Sequence, residues 1–217
     1  MKYIPYTVAS GQKNMDIDSE LLDKAIAEKL TTPIFRLYGW KPACVSLGRN
    51  QDESFLDKEF LKSKNIDVVR RLTGGRALLH DDEITYSFIC PVTFLENGEH
   101  VVSSYKEISQ ILINKFKNIG IELDFGVSKP VKTGFDYCML VSTGADLCYQ
   151  NKKLIGSAQC RKNGYILQHG SILYDYDKYL LESVFGEKVS AENVTTVKEI
   201  NSDLTKERVI EILSKEV

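Results

Sequence analysis

Two stretches carry most of the side chains able to do chemistry. From Val69 to Ser87 the chain reads Val-Arg-Arg-Leu-Thr-Gly-Gly-Arg-Ala-Leu-Leu-His-Asp-Asp-Glu-Ile-Thr-Tyr-Ser. Gly74 and Gly75 admit positive φ angles and let a ligand approach bare backbone N–H groups. Arg70, Arg71 and Arg76 can present planar forks to phosphate or carbonyl oxygens. By themselves, these residues are explained as well by a hairpin turn with solvated charges. The second stretch runs from Cys138 through Lys153 and Gly156-Ser157-Ala158-Gln159 to Gln168-His169-Gly170-Ser171. Read in isolation, Cys138 is a small buried hydrophobe and Lys153 a surface cation.

Periodicity shows which elements must position these groups. Ile17, Leu21, Leu22, Ala25, Ile26 and Leu30 recur at close to helical spacing, so a helix is predicted over Asn14 to Leu30, ended by Pro33. Strands are predicted at Ile34 to Tyr38 and Ala43 to Leu47, then an amphipathic helix from Asp52 to Lys64. Short strands from Ile66 to Val69 and Ile84 to Val92 flank the glycine-rich segment. A long helix over Val101 to Ile119 stops at Gly120, and residues 126 to 144, around Cys138, are loop-like in composition. Strands follow at Ala145 to Gln150, Lys153 to Gln159 and Tyr165 to Leu173, then helices at Asp177 to Phe185 and Leu204 to Lys215. Helices and strands lack regular βαβ alternation, so a single α+β domain over residues 1–217 is expected, with a mixed, mainly antiparallel sheet flanked by helices.

Composition bounds the function. The 217-residue chain is 43% hydrophobic and 27% charged, values ordinary for a globular protein. A net charge of −2 leaves no basic excess for nucleic acid. No stretch reaches membrane-spanning length and the amino terminus has no apolar signal core, so a cytoplasmic protein without membrane contact is expected. The five cysteines are widely spaced, with no C-x-x-C pair to hold a metal. Cys148 and Cys160 fall in predicted strands and are expected to be structural.

Taken together, Arg70-Arg71-x-Thr73-Gly74-Gly75-Arg76-Ala77-x-x-His80, Glu83-x-Thr85-Tyr86-Ser87, Lys153-x-x-Gly156-Ser157-Ala158-Gln159 and Gln168-His169-Gly170-Ser171 resemble a known catalytic domain. It is the one shared by biotin ligases, lipoate–protein ligases and octanoyltransferases. The resemblance covers nearly the whole chain and is nearest to the octanoyltransferases that use a cysteine nucleophile. Members place that cysteine eighteen residues before the Gly-Ser-Ala-Gln glycine, the separation of Cys138 from Gly156. The chain departs from the pattern after Cys138, where Met139 to Gly144 replace the usual Phe and Pro-Ser. Asp146 stands where a glutamate is common.

The resemblance implies Cys138 as nucleophile and Lys153 as its catalytic partner. It also implies a substrate pocket built from Arg70, Arg71, Thr73, Gly74, Gly75, Arg76, His80, Tyr86, Gly156, Ser157, Ala158, Gln159, His169 and Gly170. The implied reaction moves an octanoyl group from acyl carrier protein to a lysine of a glycine-cleavage H protein or a dehydrogenase lipoyl domain. Acyl exchange of this kind is nearly isoenergetic and requires no cofactor. ATP and lipoate belong to the alternative of a lipoate–protein ligase, whose members tend to carry a small residue at the position of Arg76. A second alternative is an amidotransferase between lipoyl domains, usually without a histidine at the position of His80. A non-catalytic acyl or carrier binder is a third. Lys153 is expected to add little to a packed core, and a β-carbon at Gly75 to block ligand approach while sparing the fold.

Overall fold

In a computed structural model that describes residues 1–127, 144–186 and 192–215, the chain builds two sheets on a shared core. In chain order the elements are β1 (Lys2–Ala9), α1 (Gly11–Ala27), β2 (Ile34–Trp40), β3 (Cys44–Leu47), α2 (Lys58–Ser63), β4 (Asp67–Arg70), β5 (Leu78–His80) and β6 (Glu83–Pro91). They continue with α3 (Val101–Lys117), β7 (Asp124–Phe125), β8 (Leu147–Tyr149), β9 (Lys152–Lys162), β10 (Tyr165–Leu173), α4 (Lys178–Phe185), α5 (Val197–Ile200) and α6 (Lys206–Ser214). The larger sheet has the order β1-β2-β6-β10-β9-β8-β7 and the smaller β4-β3-β5. Among the strands of the described residues only β1–β2 and β3–β4 pair in parallel, so the expected α+β architecture with a mainly antiparallel sheet is what the chain forms.

Local chemistry sets the boundaries. Ser10 caps α1 by accepting the Lys13 N–H, which starts the helix earlier than the apolar period does. Asp57 accepts the Phe60 N–H, so α2 begins six residues after the predicted Asp52. Asp177 and Thr205 cap α4 and α6 in the same way. β1 has no counterpart among the predicted elements. It contains Pro5 and lies at the edge of the sheet, where a missing ladder donor is tolerated. β5 lies within the stretch read as a connection.

Strand pairing sorts residues between two faces. Arg36, Tyr38 and Trp40 of β2, Thr85 and Ser87 of β6, His169 and Ser171 of β10, and Gly156 and Ala158 of β9 share one face. That face meets α1 and the smaller sheet. Phe35, Leu37, Tyr86 and Phe88 share the opposite face, where Ile108, Leu112 and Phe116 of α3 join them in the main core. No helix of the described residues is long and apolar enough to cross a membrane.

Candidate active site

A cleft of about 670 Å³, open mouth included, lies between the two sheets. One wall is the glycine-rich segment. Arg71 threads behind it, donating from Nη1 to Ser46 O at 2.9 Å and from Nη2 to Gly74 O and Arg76 O at 3.0 and 2.7 Å. Gly75 has φ +97°, a conformation that costs any other residue strain. A β-carbon there would also come within 2.9 Å of Arg71 Nη2, so a substitution strains the loop and does not spare the fold as expected. Gly74 is different, because a β-carbon there meets nothing within 4 Å. Arg70 turns away from the cleft, donating from Nη1 to Gly48 O and Gln51 O at 2.9 and 2.7 Å. Its fork braces a neighbouring turn.

Lys153 occupies the opposite wall, through a local irregularity of β9. Leu147 pairs with Ile155 but Cys148 pairs with Lys153, so Leu154 is an extra residue in the ladder. Such a bulge reverses the alternation of side chains. Without it Lys153 and Gly156 would face opposite sides; with it the Lys153 side chain crosses over Gly156. A β-carbon at Gly156 would lie 2.9 Å from Lys153 Cε and 3.2 Å from Nζ, so glycine makes room for the lysine. Lys153 is buried at 3% exposure, and its Nζ stands 3.1 Å from Asp146 Oδ1. The expectation that this lysine adds little to packing is therefore corrected, because removing either partner of a buried pair is costly.

Two buried imidazoles border the cleft, each held between a carboxylate and a hydroxyl. His169 Nδ1 is 3.3 Å from Asp18 Oδ2 and its Nε2 2.8 Å from Thr73 Oγ1. Burial pushes the Asp18 carboxyl up, but the His169 hydrogen bond and charge and the Arg36 guanidinium, 2.8 Å away, outweigh it and hold Asp18 below the usual carboxylate range. His80 stacks on Trp40 with centroids 4.0 Å apart, its Nδ1 2.6 Å from Glu83 Oε1 and its Nε2 2.7 Å from Ser46 Oγ. Burial also pushes Glu83 up, and His80, Ser171 and Thr85 together reverse this. Both rings are thus tied on one side to the large sheet or its helix and on the other to the smaller sheet and its loop.

Of the residues expected in the pocket, Arg71, Gly75, Arg76, His80, Lys153, Gly156, Ser157, Ala158, His169 and Gly170 line the cleft. Tyr86 and Gln159 stand behind it on the far face of the sheet. Tyr86 Oη lies 2.7 Å from Ser157 Oγ and accepts from Gln168 Nε2 at 3.0 Å, and burial pushes its phenol up to about 12. Its ring covers Gly170, where a β-carbon would meet Tyr86 Cε1 at 2.7 Å. Thr73 reaches the site through His169. Cys138 lies outside the described residues. Cys148 and Cys90 are buried, and burial raises the Cys90 thiol to about 12.

Sequence reasoning missed Asp18, Arg36, Ser46 and Met15, and gave Glu83 and Asp146 no role. A signal was present for Asp18. Asn14, Asp18, Leu22 and Ala25 lie on one helical face, so two polar residues stand on an apolar stripe. Among the described residues, no group of three His, Cys, Asp or Glu side chains could hold a metal.

The family model of the lipoyl protein ligase A/B catalytic domain matches residues 10–217. Octanoyltransferase LipM of Geobacillus kaustophilus is 38% identical over 180 residues, which are 79% of this chain and 64% of that protein. Octanoyltransferase LipM of Bacillus subtilis is 35% identical over 192 residues, 85% of this chain and 69% of that protein. The chain spans less than two thirds of the first of these relatives. Lipoate-protein ligase A bound with ATP superposes with a TM-score of 0.74 at 23% identity, covering 98% of this chain and 81% of that one, a likeness of fold.

Proposed function

Because the chain belongs to the lipoyl protein ligase A/B catalytic-domain family, we propose that its cleft transfers an octanoyl group through a thioester on Cys138 to a lysine of a lipoate-dependent protein. One observation carries the reading. Lys153, buried and paired with Asp146, is held over Gly156 at one end of a mostly apolar cleft.

Octanoyl acyl carrier protein is the donor in this scheme. The Cys138 thiolate attacks the thioester carbonyl, and the tetrahedral intermediate collapses with loss of the carrier thiolate, which takes up a proton. The neutral amine of the acceptor lysine then attacks the acyl-cysteine, forming the amide, expelling the Cys138 thiolate and losing a proton. Both steps exchange bonds of similar or falling energy, so no nucleotide is required. A cysteine is a few per cent thiolate at neutral pH, and an adjacent ammonium raises that fraction. Asp146 holds the Lys153 side chain in place over Gly156, and the Lys153 ammonium can then stabilise each oxyanion. His80 and His169, each held at both nitrogens, serve to fix the cleft walls. The acceptor is a lipoyl domain or a glycine-cleavage H protein.

The ligase alternative draws support from the likeness of fold to lipoate-protein ligase A bound with ATP. Incubation of the chain with octanoyl acyl carrier protein and an apo lipoyl domain separates the two. Octanoylation without nucleotide is expected; strict dependence on ATP and free lipoate would overturn the transferase reading.

A further inference from the structure

We propose that the unpaired edge of β9, from Ser157 to Arg161, is where the acceptor protein docks, adding its lysine-bearing segment to the sheet as an extended strand; the inference rests on the acyl-transfer reading. β8 pairs with β9 only at Lys152, Lys153 and Ile155, whereas β10 runs beside β9 from Ile155 to Lys162. Burial follows the pairing. Ile155, with a neighbour on each side, is fully buried, while every residue from Gly156 to Arg161 is partly exposed.

The turn between β9 and β10 fixes which groups the edge presents. Asn163 and Gly164 both have positive φ, 48° and 78°, a two-residue turn that makes Lys162 and Tyr165 a hydrogen-bonded pair. The register then runs without a shift, so the backbone groups of Gly156, Ala158 and Cys160 face β10. Those of Ser157, Gln159 and Arg161 point outward, and among the described residues none of them has a partner. Three donors and three acceptors along about 14 Å are a template for one more strand.

The side chains suit a strand that carries a lysine. Ser157, Gln159 and Arg161 turn theirs to the far face, where they bond Tyr86, Gln168 and Ser104. Gly156, Ala158 and Cys160 face the cleft and are small, so they leave room beside the edge. A partner residue opposite Gly156 would have its Cα about 5 Å away and its side chain on the cleft face. A lysine there, about 6 Å from Cα to Nζ, brings its amine over Gly156 beside Lys153. Charge marks the other end. Arg161 donates to the neutral Gly98 O, Glu99 O and Ser104 Oγ, and the exposed Arg49 is near enough to act on the Cys160 thiol. Among the described residues neither arginine forms an ion pair. The matching strand therefore carries acidic residues about five positions from its lysine.

The test uses an apo lipoyl domain as acceptor, and the same domain with its acceptor lysine replaced by arginine as binding probe. Hydrogen exchange in the peptide covering residues 157–161 should slow when the probe is added. Arg161→Pro removes one outward N–H without touching the β10 ladder, and Arg161→Ala controls for the lost side chain. The KM for the acceptor domain should be about fivefold or more higher in Arg161→Pro than in Arg161→Ala, the worth of one net hydrogen bond. Acylation of Cys138 by octanoyl acyl carrier protein should proceed at the same rate in both. Equal KM values, or an edge left unprotected by the probe, overturn the docking edge. So does protection by the octanoyl carrier protein instead, or protection that grows with the concentration of the chain alone, because the donor or a second copy then occupies it. Protection that Arg161→Pro abolishes, without transfer to the acceptor, would support the edge and overturn the transferase reading.

Discussion

Lys153 Nζ lies 3.1 Å from Asp146 Oδ1, and the two side chains are only 4% and 5% exposed. A buried ammonium and a buried carboxylate each support the presence of the other. Asp146→Asn or Lys153→Ala should therefore cost about 3–5 kcal/mol, measured by urea unfolding, because either breaks a buried ion pair. The double variant Lys153→Met with Asp146→Leu should regain much of that stability while remaining inactive. Single variants as stable as wild type would show that the pair is not an ion pair in solution.

Gly156→Ala separates the position of Lys153 from its presence. The added β-carbon meets the flexible far end of the lysine rather than backbone. Stability should stay within about 1 kcal/mol of wild type, while the turnover rate falls about tenfold or more through loss of oxyanion stabilisation. Wild-type turnover would place the reacting atoms away from the Lys153 ammonium.

Acylation should map to one cysteine. Mass spectrometry after incubation with octanoyl acyl carrier protein should find an adduct on the Cys138 peptide that hydroxylamine removes. Cys148 is the informative control, since it is the cross-strand partner of Lys153. An adduct that survives Cys138→Ser and vanishes in Cys148→Ser would move the nucleophile to β8.

Acid should loosen the fold through Asp18. Its carboxyl titrates below the usual range in the folded protein, so its contribution is full above the ordinary aspartate value of about 3.9. That contribution is lost as the pH falls through the lower folded value. Unfolding followed from pH 6 to 2 should show a steep acid limb, made shallower by Asp18→Asn. An identical limb in the variant would assign the acid sensitivity to other carboxylates, with Glu83 next in line.

Gly75→Ala should destabilise by about 1–2 kcal/mol, the cost of placing an L side chain at positive φ. Gly74→Ala, with open space around it, should be much milder. Equal effects would mean that the loop relaxes in solution.

The α+β class, the long helices and the central strand pair β6 and β10 were legible in the sequence, because hydrophobic periodicity is local and β10 matched from Tyr165 to Leu173. The site motifs were legible for a related reason, being short runs whose glycines and arginines act on their own loop. Arg71 and Gly75 show this: their contacts lie within five residues or on the adjacent strand β3. What the tertiary structure decided depends on pairing between distant segments. Simple alternation along β9 puts Lys153 and Gly156 on opposite faces, and only the register with β8 reveals the bulge that unites them. Asp18 and His169 are 151 residues apart, so no local pattern could join them. Tyr86 and Arg70, contiguous with the motif, turn away from the cleft because a strand and a neighbouring turn claim their polar atoms. Residue types and spacing thus determined which chemistry the chain could hold, while sheet register decided which of those side chains reach the cleft.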